Sequence, residues 1–120
     1  MSGTRRVPLA RRPAVQITAE AVRLFEATLT KQALTSDERL LLARVYDANH
    51  DEIKANREMR VLLALHRDEP RFLAYQIQSL LKRGDGAAAA TYLKALELLE
   101  PSSERTLRLN AQYQNLQAGN

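Results

Sequence analysis

The 120-residue chain has no cysteine, which excludes disulfide frameworks, thiolate metal sites and cysteine nucleophiles together. It also has no run approaching the roughly eighteen apolar residues of a membrane span. Its N-terminus lacks the hydrophobic stretch of a signal peptide. The expectation is a soluble, cytoplasmic protein without a membrane span. Acidic residues are missing from the first thirteen positions, which hold Arg5, Arg6, Arg11 and Arg12. Those four account for the formal charge of +4, because removing them from 18 Lys and Arg leaves fourteen, equal to the 14 Asp and Glu. The body therefore offers no bulk electrostatic reason to bind nucleic acid, and only the N-terminal arm does.

Strand signals are scarce as well. Few stretches alternate with a period of two, and Val, Ile and Thr are sparse beside Leu, Ala, Glu and Arg. Residues 1–15 carry Gly3, Pro8, Pro13 and the four arginines with few large apolar side chains. Such a segment cannot bury enough surface to offset its ordering entropy, so it reads as a disordered basic arm. From Thr18 onward the pattern is helical, and an apolar content of 45 % is enough for a real core. The predicted class is all-α, with one helical domain over 16–120.

Turn and cap signals divide that domain into six helices. Thr18 caps the first, which runs to about Ala33. Thr35 and Glu38 have capping-box spacing for the second, which ends near Asn49-His50-Asp51. The third spans about Glu52 to Arg67. Pro70 opens the fourth, which stops at Gly84-Asp85-Gly86. The fifth covers Ala87 to Leu99, and the sixth opens at Pro101, with Ser102 and Ser103 as caps, and reaches Gly119-Asn120. Loops this short force antiparallel neighbours.

Self-comparison at a shift of 34 residues superimposes mostly small residues on small ones and large on large, with Ile77 at a small-residue position as a departure. Ala21 falls on Ala55 and Ala89, Phe25 on Met59 and Leu93, and Leu62 on Leu96. Ala43 falls on Ile77 and Ala111, and Tyr46 on Leu80. The turn at His50 falls on Gly84 and, with one residue of slack, on Gly119. A small residue lets two helices of a hairpin approach, and a large one four residues later fills the next turn of the same face. The face each hairpin leaves open is buried by the next, which builds a solenoid.

These residues resemble the tetratricopeptide repeat family, whose signature is Leu-Gly-x-x-Tyr in the first helix, Ala-x-x-x-Phe in the second, and then Pro. The chain has Leu42-Ala43-x-x-Tyr46 followed by Ala55-x-x-x-Met59, then Ala89-x-x-x-Leu93 and Pro101, and Ala21-x-x-x-Phe25 near its start. It departs from the pattern where Arg39 and Leu73 replace the opening aromatic and where Asn110 and Gln114 take core-like positions. The resemblance implies a right-handed superhelical stack of about three units that serves as a protein-interaction scaffold. The phase is unusual, since the chain opens with a second-type helix and closes with a first-type helix. That phase fits one segment of a larger repeat array, or an opening helix covered by the arm or by another chain. Self-association through this helix, with Phe25 as a contact, is one such expectation.

Nothing in the sequence groups into a catalytic or cofactor site. His50 and His66 lie sixteen residues apart with no i,i+4 metal pair. Asp37/Glu38 and Asp51/Glu52 suit capping and helix-dipole roles, and Gly84-x-Gly86 lacks the strand and Gly-Lys-Ser of a phosphate loop. No metal, cofactor or enzymatic activity is expected.

The concave wall of such a stack is the better candidate. At about 100° per residue, the face turned away from the core stripe takes Asp37, Leu40, Arg44, Asp47 and Ala48 in the first unit. It takes Arg71, Ala74, Gln78, Leu81 and Lys82 in the next, then Arg105, Arg108, Gln112, Asn115 and Leu116. Five basic residues face two acids there, which predicts an extended acidic peptide or partner protein gripped by Arg44, Arg71, Lys82, Arg105 and Arg108. The alternative is nucleic-acid or anionic-surface binding through Arg5, Arg6, Arg11 and Arg12. No aromatic interleaves these to stack on bases.

Overall fold

Each helix starts where a side chain can satisfy its free backbone donors. The computed structural model describes residues 18–29 and 34–119, with the backbone alone at Leu29. Among these residues there are six α-helices and no strand: α1 Ala19–Leu29, α2 Ser36–Ala48, α3 Glu52–Leu65, α4 Pro70–Lys82, α5 Gly86–Leu99 and α6 Glu104–Ala118. The arm, with Arg5, Arg6, Arg11 and Arg12, lies outside the described residues, as do residues 30–33, over which the first helix was expected to continue. No helix among the described residues is long and apolar enough to cross a membrane.

Thr35 closes the capping box with Glu38, accepting from its N–H at 3.1 Å while the Glu38 carboxylate accepts from the Thr35 N–H at 2.9 Å. Asp51, Glu69, Asp85 and Ser103 cap α3 to α6, each with a side-chain oxygen accepting a first-turn N–H. Three ends differ from the sequence reading, and the largest is that α6 starts at Glu104 rather than Pro101, because Ser103 is its cap. α3 stops at Leu65 rather than Arg67, because His66 leaves the helical region (φ −134°, ψ 64°) while its N–H still reaches the Leu62 carbonyl. α5 starts one residue early, at Gly86, since Asp85 is its cap.

The caps keep the period of the side chains. Thr35, Glu69 and Ser103 are spaced by 34 residues, and so are Asp51 and Asp85. The loops Asn49–Asp51 and Arg83–Asp85 are copies of one turn. His50 (φ 61°) and Gly84 (φ 78°) are both left-handed. The Asp51 N–H reaches the Tyr46 carbonyl at 2.8 Å, and the Asp85 N–H reaches that of Leu80 at 2.9 Å. The His50 and Gly84 N–H groups reach Asp47 and Leu81, both at 3.0 Å. This is the paired bonding of a Schellman ending, which absorbs the last carbonyls of the helix. Gly119 does not repeat it: its φ is −76° and it simply ends α6.

Three apolar clusters follow from this order. Val22 of α1 packs with Leu42, Val45, Tyr46 and Ala55 of the α2–α3 hairpin. Leu73, Ile77 and Leu80 of α4 pack with Ala89, Leu93 and Leu96 of α5 and Leu109 of α6. Between them, Phe72 of α4 enters the α2–α3 hairpin against Ala43, Met59 and Leu62. The small and large residues paired by the shift, Ala43/Ile77, Tyr46/Leu80, Ala55/Ala89, Met59/Leu93 and Leu62/Leu96, are all buried. Arg39 stands where Leu73 stands in the next hairpin, and it ion-pairs with Glu58 across the hairpin at 2.7 Å. Gln76 replaces Leu42 in register; it is buried, and its Oε1 has no hydrogen-bond partner. Polar bonds fasten α1: Tyr46 donates to the Glu26 carboxylate, and Lys54 lies 3.6 Å from it.

The two left-handed turns provide a stability test. A Cβ at Gly84 would meet nothing within 4 Å, so Gly84→Ala carries only the backbone cost of the left-handed region, about 1–2 kcal/mol. Urea titration should show that loss with an unchanged m-value, and His50→Gly should shift the midpoint upward.

Candidate functional site

The α2 and α4 helices are joined by one carboxylate. Asp47 accepts hydrogen bonds from the Tyr75 hydroxyl, from Ser79 Oγ at 3.2 Å and from Arg83 Nη2 at 3.1 Å. Tyr75, Ser79 and Arg83 follow each other at i, i+4 and i+8, so one face of α4 presents all three donors. Arg83 also donates to Asn56 Oδ1 at 2.9 Å and lies 3.7 Å from Glu52. The Arg83 and Asp47 side chains are only 17 % and 23 % exposed, so the pair is screened less than a surface bridge would be. Burial, and then the bond to Asp47, pushes the Tyr75 hydroxyl well above the usual tyrosine pKa.

Two adjoining concavities open beside this junction. The first, about 640 Å³, is lined by Arg44, Asp47, His50, Tyr75, Lys82 and Arg83 among others. The second, about 450 Å³, lies between α4 and α6 and is lined by Gln78, Leu81, Lys82, Gln112, Asn115 and Leu116. Gln78 and Lys82 line both and form the ridge between them. Asp47 already accepts three hydrogen bonds and pairs with Arg83, whereas Arg44 and Lys82 are exposed and have no ion pair among the described residues. The first concavity therefore presents two cations, Arg44 and Lys82, together with the Gln78 amide.

Nine of the fifteen residues expected on the concave face thus line the concavities: Arg44, Asp47, Ala48, Gln78, Leu81, Lys82, Gln112, Asn115 and Leu116. The others lie outside the two concavities. Asp37 pairs with Arg71 at 3.0 Å, and the Arg71 guanidinium also lies 5.0 Å over the Phe72 ring. Arg105 is held by Glu100 through two bonds of 2.8 Å. Arg108 is exposed but lines neither concavity. Leu40 and Ala74 are partly buried in the packing.

The junction residues Tyr75, Ser79 and Arg83 were not singled out from sequence. Their four-residue spacing on α4 is the signal that would have found them. His50 lines the first concavity from its left-handed turn. His66 caps the end of α3 as an exposed residue, with Nε2 2.7 Å from Ser36 Oγ and its ring edge-on to Phe72.

Comparison of the chain with protein-family models, with curated proteins and with solved structures gives no match.

The Arg105–Glu100 pair sets a pH dependence. The two guanidinium bonds, helped by Ser103, hold the Glu100 carboxyl down from 4.5 to about 2. The folded state thus takes up this proton at lower pH than the unfolded state. The pair's contribution is complete above pH 4.5 and fades as pH falls towards 2. Carboxyl NMR titration should place Glu100 near the lower value, and Arg105→Gln should return it to the ordinary range. A Glu100 that titrates normally in the unsubstituted chain would remove the pair from the folded state in solution.

Proposed function

We propose that the chain is a tetratricopeptide-like helical-repeat scaffold that binds an extended acidic peptide along the face shared by α2, α4 and α6. The recurrence of caps, turns and buried small residues at 34-residue spacing supports the repeat reading. One observation carries the ligand reading: Arg44 and Lys82, without an ion pair among the described residues, line the first concavity together with Gln78, and Gln78 and Lys82 also line the second.

A carboxylate at this ridge gains charge-assisted bonds from two cations that surrender no internal partner. The Gln78, Gln112 and Asn115 amides continue the face and suit the backbone of an extended chain, each offering a donor and an acceptor. Arg71 and Arg105 are already committed to Asp37 and Glu100, so they contribute less than their charge suggests. The scaffold reading assigns the chain no reaction.

Peptides selected from a random library by the intact chain should be rich in Asp and Glu, and their affinity can be measured by fluorescence anisotropy. The Arg44→Glu/Lys82→Glu variant should bind them at least tenfold more weakly, about 1.4 kcal/mol, while Arg71→Glu leaves affinity nearly unchanged. Equal affinity in the double variant, or selection of peptides with no acidic preference, would overturn the assignment.

A further inference from the structure

The register that buries small residues inside the two central hairpins leaves the same positions open on α1 and α6. Ala55 and Ala89 are buried, yet Ala21, which precedes them in register by 34 and 68 residues, is exposed. Ala43 and Ile77 are buried, yet Ala111 is exposed. Three residues after the alanine of α3 stands Glu58, which meets Arg39 of α2 at 2.7 Å. In the next hairpin the same two positions hold Leu73 and Tyr92, which share one apolar cluster. Carried one unit further, the first position becomes Leu107 of α6, 58 % exposed. Carried one unit back, the second becomes Leu24 of α1, 63 % exposed.

Each open face therefore lacks what the other provides. Among the described residues, α6 has no helix against it that presents a small residue and an apolar one three positions later. α1 is such a helix, and among the described residues no helix packs on the face that carries Ala21 and Leu24, both exposed. We infer that α6 of one copy of this chain receives α1 of a second copy, packed as α2 packs on α3, with Leu107 against Leu24 and Ala111 and Ala21 permitting the close approach. The rim is compatible. Tyr46 meets Lys54 across the central hairpin, with the ammonium 5.5 Å from the ring. The corresponding residues here are Gln114 and Glu20, an amide donor facing a carboxylate.

Such a contact is heterologous. The patch used on one copy differs from the patch used on the next, so every added copy leaves one α1 and one α6 free, and assembly proceeds head to tail. It stands on the exposed apolar positions and does not depend on the acidic-peptide reading.

Sedimentation of the full 120-residue chain tests this across concentrations up to millimolar. The average mass should rise with concentration. Leu24→Lys and Leu107→Lys, both on exposed positions and of like charge so that they cannot pair with each other, should each be monomeric while keeping the helical circular dichroism of the parent. Mixed in equal amounts, the two variants should form a dimer that grows no further, because the intact α6 of the first docks on the intact α1 of the second. A parent chain that stays monomeric overturns the inference. So does a mixture that stays monomeric. A Leu107→Lys variant that still self-associates also overturns it, and would indicate a symmetric contact through α1.

Discussion

Asp47 is the point on which the arrangement of the helices turns. A carboxylate between two helices must find its hydrogen-bond partners there or carry a heavy desolvation cost. Its three donors come from one face of α4 and its C-terminal cap, so α2 and α4 have little freedom to slide or roll against each other. Behind this bridge, Phe72 fills the space among Ala43, Met59 and Leu62 and supplies the apolar half of the same joint. The polar bridge fixes direction and the aromatic fixes distance, and the concave surface is the gap that the two leave on the solvent side.

Charge follows from the same pairing. Fourteen cations and fourteen acids in the body cancel in sum, but they do not cancel in place. Eight carboxylates converge on Arg39, Lys54, Arg71, Arg83 and Arg105. Among the described residues, Arg44 and Lys82 are left without a counter-ion, beside a carboxylate already engaged by three donors. A body without net charge thus has a locally positive wall, which is the property that matters for a ligand within a Debye length of about 8 Å.

How much of this was legible in the sequence depended on how local each feature is. Caps, turns and helix number follow from a few neighbouring residues, and Thr35 with Glu38, Asp85 and Pro70 marked them directly. The 34-residue echo identified the buried stripe because burial in helical hairpins repeats with the packing. Rotation by 100° per residue put Arg44, Gln78, Lys82 and Gln112 on one expected face, and each of them lines one or both concavities. The same arithmetic treats each helix as isolated, so it could not see Glu100 reaching Arg105 from the preceding turn, or Asp37 taking Arg71 from another helix. Asp47 was placed on the right face, but its role needs the offset between two helices, which no single-helix pattern contains.

The end helices are anchored far more lightly than the four between them. Among the described side chains, α1 buries only Val22, and α6 buries only Thr106 and Leu109. In a quasi-linear stack, local opening starts where the fewest neighbours hold a helix. Exchange of backbone protons should therefore be fastest at both ends and slowest in α3 and α4. These are also the helices offered to a second copy, so docking and ordering become a single equilibrium. Dilution would then loosen the ends of each chain before it touches the middle, and protein concentration would be recorded as local order.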